Sequence, residues 1–352
     1  MNNVLENKRL TCVLEALENS IEPDVEDILH KEWLDFTEDR FIGDVFEPKR
    51  THTQKHEQII LPDINDTLSD TAEGYVNMLI NQYASCLNNL EKGNGSLLCV
   101  RSSYGCGTLP YFFGCEPFIM PREQNILPSS LPLGGDAIEK LVSNGVPALS
   151  GGMGEQAFKA GELMLEIAQR YPKIGSHVHV IHPDTQGPFD IAELLWGTDI
   201  FCDLYDRPGL AHSLLKIICE TYTVFMHRWL EMFPCKEYTY HWGYIHKGAV
   251  MLRDDSAMNL SPELFDEFIK PYDSLILDTF GGGAVHFCGR GDHYIDSLCT
   301  IKGLSAINMS QPEYNDMEKI YKATVDRGIK IIGLNPQTAK EAGARLKGQV
   351  SM

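Results

Sequence analysis

His286-Phe-Cys288 is the shortest arrangement in this chain able to begin a metal site. In an extended segment residues i and i+2 point to one side, so the imidazole and the thiolate would converge on one point. They would be two donors of a tetrahedral zinc centre. An interior histidine beside a buried cysteine is the plainer alternative for the same pattern. A second cluster is His182-Pro-Asp184-Thr-Gln186-Gly-Pro-Phe189. Its apolar run ends in a sharp polar turn. Asp184 there can orient an imidazole, hold a cation or move a proton, or it can simply tie down the turn through its own backbone.

The third cluster joins His241-Trp-Gly-Tyr244 to Arg253-Asp254-Asp255. Trp242 and Tyr244 suit the wall of a ligand pocket, with core packing as the alternative. Asp254 is taken as the acid/base member of the pair, although a solvated loop before the next helix would explain both acids. Two glycine-rich stretches, Tyr104–Cys115 and Gly151-Gly-Met-Gly-Glu155, allow close backbone approach to a ligand. Tyr104 is included as a pocket residue, whereas Cys106 and Cys115 read as structural. Glu155 opens a helical pattern, where a carboxylate suits the dipole. His52, His56, His212, His227 and His293 are assigned no role.

The elements that must hold these residues alternate between strand and helix. Strands are expected at Leu97–Arg101, Gly175–His182, Glu237–Trp242, Gly283–Cys288, Leu304–Met309 and Ile329–Leu334, with weaker ones at Ile126–Leu131 and Val146–Leu149. Helices are expected at Lys8–Ser20, Thr71–Leu90, Gly209–Phe233, 261–280 with a break at Pro271, and Asp316–Arg327. Ser261-Pro262 reads as a helix start, and Thr338-Ala-Lys-Glu341 as a capping box. The alternation predicts an α/β fold of the (β/α)8 TIM-barrel kind on residues 96–352, with a helical extension on residues 1–95, together one structural domain. No glycine-rich phosphate loop follows a strand, which argues against a dinucleotide-binding sheet.

Composition narrows the function classes. The chain has 352 residues, 43% of them hydrophobic and 22% charged, as in ordinary globular proteins. Its net charge is -19, and residues 1–70 hold 17 acids against 7 bases. So acidic a chain, with no lysine- or arginine-rich run, is not expected to bind nucleic acid. No apolar run approaches the ~20 residues of a membrane span, and the first twenty residues lack the apolar segment of a signal peptide. A cytoplasmic location is expected. Ten cysteines without a CxxC motif are expected to be free thiols.

In order along the chain, Gln186-Gly-Pro-Phe189, Leu260-Ser-Pro-Glu263 with Lys270-Pro-Tyr272, and His286-Phe-Cys-Gly289 resemble the uroporphyrinogen decarboxylase superfamily over roughly residues 96–335. The resemblance implies a single barrel, and one of two activities. One branch decarboxylates a porphyrinogen without a cofactor. The other transfers methyl groups between a small methylated substrate and a corrinoid carried on a separate protein, using zinc. The decarboxylases' N-terminal arginine motif is missing here, with Arg101 and Arg122 the nearest basic candidates. His286 and Cys288 match the methyltransferase pattern. The stretch 331–336 lacks that branch's further cysteine, so either His241, Asp184 or Glu155 completes the zinc site or the site has been lost.

The resemblance therefore implies a zinc-dependent methyltransferase acting on a methoxylated aromatic, methylamine or thiol. His286 and Cys288 would hold zinc, Asp184, His241 and Asp254 would serve catalysis, and Tyr104, Gln186, Trp242 and Tyr244 would contact substrate. A corrinoid protein would be the partner, since the chain has no Asp-x-His-x-x-Gly motif of its own, and a homodimer is in keeping with the superfamily. A cofactor-free decarboxylase and a non-catalytic ligand-binding barrel are the alternatives.

Overall fold

Short apolar runs bounded by glycine and proline become strands, and the longer periodic segments between them become helices. The computed structural model describes residues 4–53, 55 and 59–352. His56, among the histidines assigned no role, and its neighbour Gln54 lie outside the described residues. The strands are β1 (Leu98–Arg101), β2 (Glu116–Phe118), β3 (Ser129–Leu131), β4 (Val178–Ile181), β5 (Tyr238–His241), β6 (Tyr244–Lys247), β7 (Val250–Arg253), β8 (Gly283–Phe287), β9 (Leu304–Met309) and β10 (Lys330–Ile331). β1 pairs with β4 in parallel, and β7, β8, β9 and β10 form a parallel sheet in that order. β2–β3 and β5–β6 are antiparallel hairpins. The fold is thus mixed α/β with parallel sheets. Among the described residues, the strand ladders do not by themselves close into a ring.

Several expected elements change identity. Val250–Arg253 becomes the edge partner of β8, although it was not expected as a strand. All four residues are buried, so they read as an apolar run without alternation. Glu237–Trp242 falls in a hairpin instead of a parallel strand. The segment 126–131 yields only the antiparallel β3, and Val146–Leu149 forms no strand. The first half of Gly175–His182 lies in the helix Pro172–His177. The capping box at Thr338 is displaced as well. Asn335 caps that helix, accepting from the Gln337 and Thr338 amides, and Thr338 sits inside it. Helix breaking at Pro271 is as expected: Pro262–Phe268 ends before Lys270–Thr279, with Pro271 in the new first turn.

One hydrophobic core joins the two halves. It runs from Leu10, Leu14 and Leu17 on Lys8–Ser20, through Tyr83 and Leu87, to Phe158, Trp229 and Ile307. A smaller cluster gathers Trp33, Phe36, Phe46, Met251 and Ile332. Trp33 meets Phe46 edge-on at 5.0 Å, and Phe36 stacks on Phe46 at 4.7 Å. Residues 1–95 therefore share the core of the rest. No helix among the described residues is long and apolar enough to cross a membrane.

The segment after the helix Pro23–Thr37 is pinned by a buried ion pair. Arg50 Nε and Nη2 donate to Glu26 Oε1 and Oε2 at 2.6 and 2.8 Å, with both side chains at most 4% exposed. Removing one partner strands a charge in the interior. Arg50→Met is expected to lower unfolding free energy by about 3–5 kcal/mol. Glu26→Met/Arg50→Met together should recover most of that loss, as read from urea midpoints. Equal losses in the single and double variants would show the pair to be unimportant.

Candidate metal centre

β7 and β8 run side by side with Arg253 opposite His286. β7 ends at Arg253, and the short 3-10 helix that opens at Asp255 brings that carboxylate beside His286 and Cys288. Oxygen, nitrogen and sulfur donors of Asp255, His286 and Cys288 all lie within 4.8 Å of one another. His286 Nε2 is 3.4 Å from Cys288 Sγ and 3.5 Å from Asp255 Oδ1. With metal–ligand bonds of about 2.0–2.3 Å, the donors of a tetrahedral zinc stand roughly 3.3–3.6 Å apart. The two separations from His286 Nε2 match that spacing, and the three donors together form a possible metal-binding group. Three protein donors leave a fourth position for substrate or water.

The surroundings pre-set each donor. Asn308 Nδ2 donates to the Ile332 carbonyl at 2.5 Å, which aims its Oδ1 at His286 Nδ1, 2.6 Å away. His286 must then carry its proton on Nδ1 and turn the Nε2 lone pair to the other donors. Burial pushes this imidazole below its ordinary value, so it is neutral. Burial also pushes the Cys288 thiol up to about 11 in the absence of a cation. A bound divalent ion would reverse that preference. The Cys288 amide donates to Asp255 Oδ1 at 2.8 Å. Asp190 fixes the backbone of the same turn, accepting from the Asp255 and Ser256 amides at 2.8 and 3.0 Å.

A pocket of about 380 Å³ opens beside these donors, bounded by Cys106, Asp184, Gln186, Trp242, Arg253 and His286 among others. Asp184 receives hydrogen bonds from Arg253 Nη1 and Gln186 Nε2, and Arg101 Nη1 lies 3.6 Å from its other oxygen. Although burial alone would raise it, the two guanidinium groups hold the Asp184 carboxyl below its ordinary value.

Of the residues singled out in the sequence, Asp184, Gln186, Trp242, His286 and Cys288 come together. The others do not. Tyr104 is buried and does not line the pocket, and Tyr244 packs on Trp33 and over Gly333. His241 lies beneath the pocket with Nδ1 3.3 Å from His246 Nε2 and its ring edge-on to His182. It is wholly buried and held well below its ordinary value by burial and the two neighbouring imidazoles. Asp254 falls between Arg253 and Asp255, so it turns to the opposite side, against Gly187 and Asp273.

The third donor is corrected too. Glu155 folds back on the Gly151 amide at 2.6 Å, Asp184 is held by the arginines, and His241 is tied to His246. Asp255 takes the place expected of those three. The sequence names Asp255 only as one of two adjacent acids, and its place depends on the turn that follows β7. Arg253 stands in the third cluster without a role, and Asp190 and Glu193, which also line the pocket, were missed; nothing in their sequence context marks them without the register. No protein-family model matches the chain, and no curated protein sequence matches it either.

Behind the donors sit Asp254 and Asp273, buried against each other, with no other hydrogen-bond partner for either carboxyl among the described residues. Burial raises the Asp273 carboxyl to about 7 and Asp254 well above its ordinary value. The folded protein therefore retains protons that the unfolded chain gives up near pH 4, and stability falls as pH rises from about 4 to 7. Asp273→Asn should remove part of that decline. By urea titration at pH 5 and pH 8, the variant is expected to gain about 1 kcal/mol or more on the parent at the higher pH. Parallel pH profiles for the two would refute a shared proton.

Proposed function

We propose that this chain is a zinc-dependent methyltransferase on a complete (β/α)8 barrel, moving a methyl group between a small substrate and a corrinoid carried by a partner protein. The convergence of Asp255, His286 and Cys288 beside a pocket of about 380 Å³ carries this reading. When bound there, zinc supplies Lewis acidity at the substrate heteroatom that loses or gains the methyl group. The protein's own residues do the rest. Asn308 keeps the Nε2 lone pair of His286 presented, and Asp190 holds the turn that carries Asp255. Trp242 walls the pocket over His286, their ring centroids 5.1 Å apart. Asp184 fixes the two arginines and Gln186 along the pocket floor.

The chain's order of motifs supports the same family of chemistry. A cofactor-free decarboxylase would use Asp184 as a free negative charge beside a developing cation. Arg101 and Arg253 already compensate that charge, which favours the metal-dependent reading. A purely ligand-binding barrel would give no reason for oxygen, nitrogen and sulfur donors to converge within 4.8 Å.

Metal analysis tests the proposal. Purified protein equilibrated with zinc is expected to retain about one equivalent, and cobalt in its place should give a thiolate charge-transfer band. Cys288→Ser should abolish the band. His286→Ala and Asp255→Asn should each weaken zinc retention at least about tenfold. Less than about a tenth of an equivalent in the parent protein, or unchanged retention in all three variants, would end the proposal.

A further inference from the structure

Beside the metal donors, one guanidinium is only half used. Arg253 is 3% exposed. Its Nη1 is hydrogen-bonded to Asp184. Its Nε and Nη2 are buried with no hydrogen-bond partner among the described residues, and so is Arg101 Nη1. Buried donors of a charged group are costly to leave unmet, so their persistence calls for an acceptor. The Nε–Nη2 edge is the side of a guanidinium that grips both oxygens of a carboxylate at once. Charge points the same way. Two guanidinium groups share the single carboxylate of Asp184, leaving one positive charge over.

Trp242 lies against this guanidinium. Arg253 Cζ lies 5.0 Å from the centre of its ring. Trp242 and Gly243 are the central residues of the two-residue turn between β5 and β6, with φ of +49° and +85°. Such turns favour asparagine or glycine at the first position, and a bulky side chain there is strained. Strain of this kind persists where the surroundings demand it. Trp33, Trp196 and Trp229 are buried, whereas Trp242 is 37% exposed, free on one side to move.

We propose that the substrate carries a carboxylate, that the Nε–Nη2 edge of Arg253 receives it with Arg101 adding charge, and that Trp242 swings off Arg253 as it enters. The register then sizes the substrate, a step that rests on the metal-centre reading. Arg253 stands opposite His286 on strands about 4.8 Å apart. The reacting heteroatom is therefore only a few bonds from the carboxyl carbon. Asp190, Glu193 and Asp255 also line the pocket and offer a cationic ligand instead. The oxygens of Asp190 are occupied by two amides, and Asp255 belongs to the metal donors. The anion is the occupant that the unmet donors select.

Tryptophan emission reads the event directly, because only Trp242 is in a position to change. Acetate and methoxyacetate are titrated into the full chain, with and without zinc, against sodium chloride and tetramethylammonium chloride at equal ionic strength. A saturable emission change is expected with both carboxylates and with neither control. It should vanish in Trp242→Phe. In Arg253→Lys, which keeps the charge facing Asp184 but loses the fork, affinity should fall at least about tenfold. Thermal melts of both variants establish that they are folded, and calorimetric titration of Trp242→Phe should still detect carboxylate binding. No saturable carboxylate response by either method, equal affinity in Arg253→Lys, or a response to tetramethylammonium alone overturns the clamp. Zinc retention without a carboxylate response removes the clamp and leaves the metal centre standing. A carboxylate response in protein that retains no zinc keeps the clamp and removes the metal centre.

Discussion

The pairing of β7 with β8 in one register governs everything that follows. Sliding one strand by a single residue would turn Asp255 away from His286 and bring up Asp254 instead. The ladder from Val250–Gly283 to Arg253–His286 fixes which acid meets the imidazole. Gly248 allows that pairing to begin. Its φ is +86°, and a Cβ there would stand 2.0 Å from the Gly282 carbonyl carbon. Packing beneath is apolar and closed: Val250, Met251, Leu252, Val285 and Phe287 are all buried. The donors are therefore held by backbone hydrogen bonds and core packing more than by contacts with one another.

Much of this was legible in the chain. The i, i+2 spacing of His286 and Cys288 put both on one side of a strand, and Leu304–Met309 was read to the residue. Lys8–Ser20 was equally plain, since its apolar positions recur at helical spacing and Asn7 caps it. β7 was not legible, because four consecutive buried residues carry no period. With β7 unseen, the choice between Asp254 and Asp255 had no physical basis. Tyr104 and Tyr244 failed for a related reason. An aromatic residue near a strand end serves a core or a pocket equally well, and only the fold decides. Asp190 lies two residues past the Gln186-Gly-Pro turn, and its role depends on the helix Pro188–Trp196 packing against the turn at Asp255.

Electrostatics in the interior does not follow from the overall charge. Most of the acid excess lies on the surface and early in the chain. Around the pocket, carboxyls divide into two kinds. Asp184 is ionised because two arginines face it. Asp190 in the pocket wall and Asp254 behind it are pushed the other way, each by burial and then by neighbouring acids: Asp254 and Asp255 for the first, Asp273 and Asp255 for the second. Groups of one chemical type thus occupy opposite charge states, set by whether a guanidinium or another acid is the neighbour.

Those retained protons have a calorimetric consequence. When the chain unfolds near neutral pH, Asp254 and Asp273 meet water and give their protons to the buffer. The heat absorbed in a scanning experiment then contains the buffer's own enthalpy of protonation. Scans in phosphate and in an amine buffer at matched pH would return different transition heats from identical molecules, and the slope between them counts the hydrogen ions stored in the core.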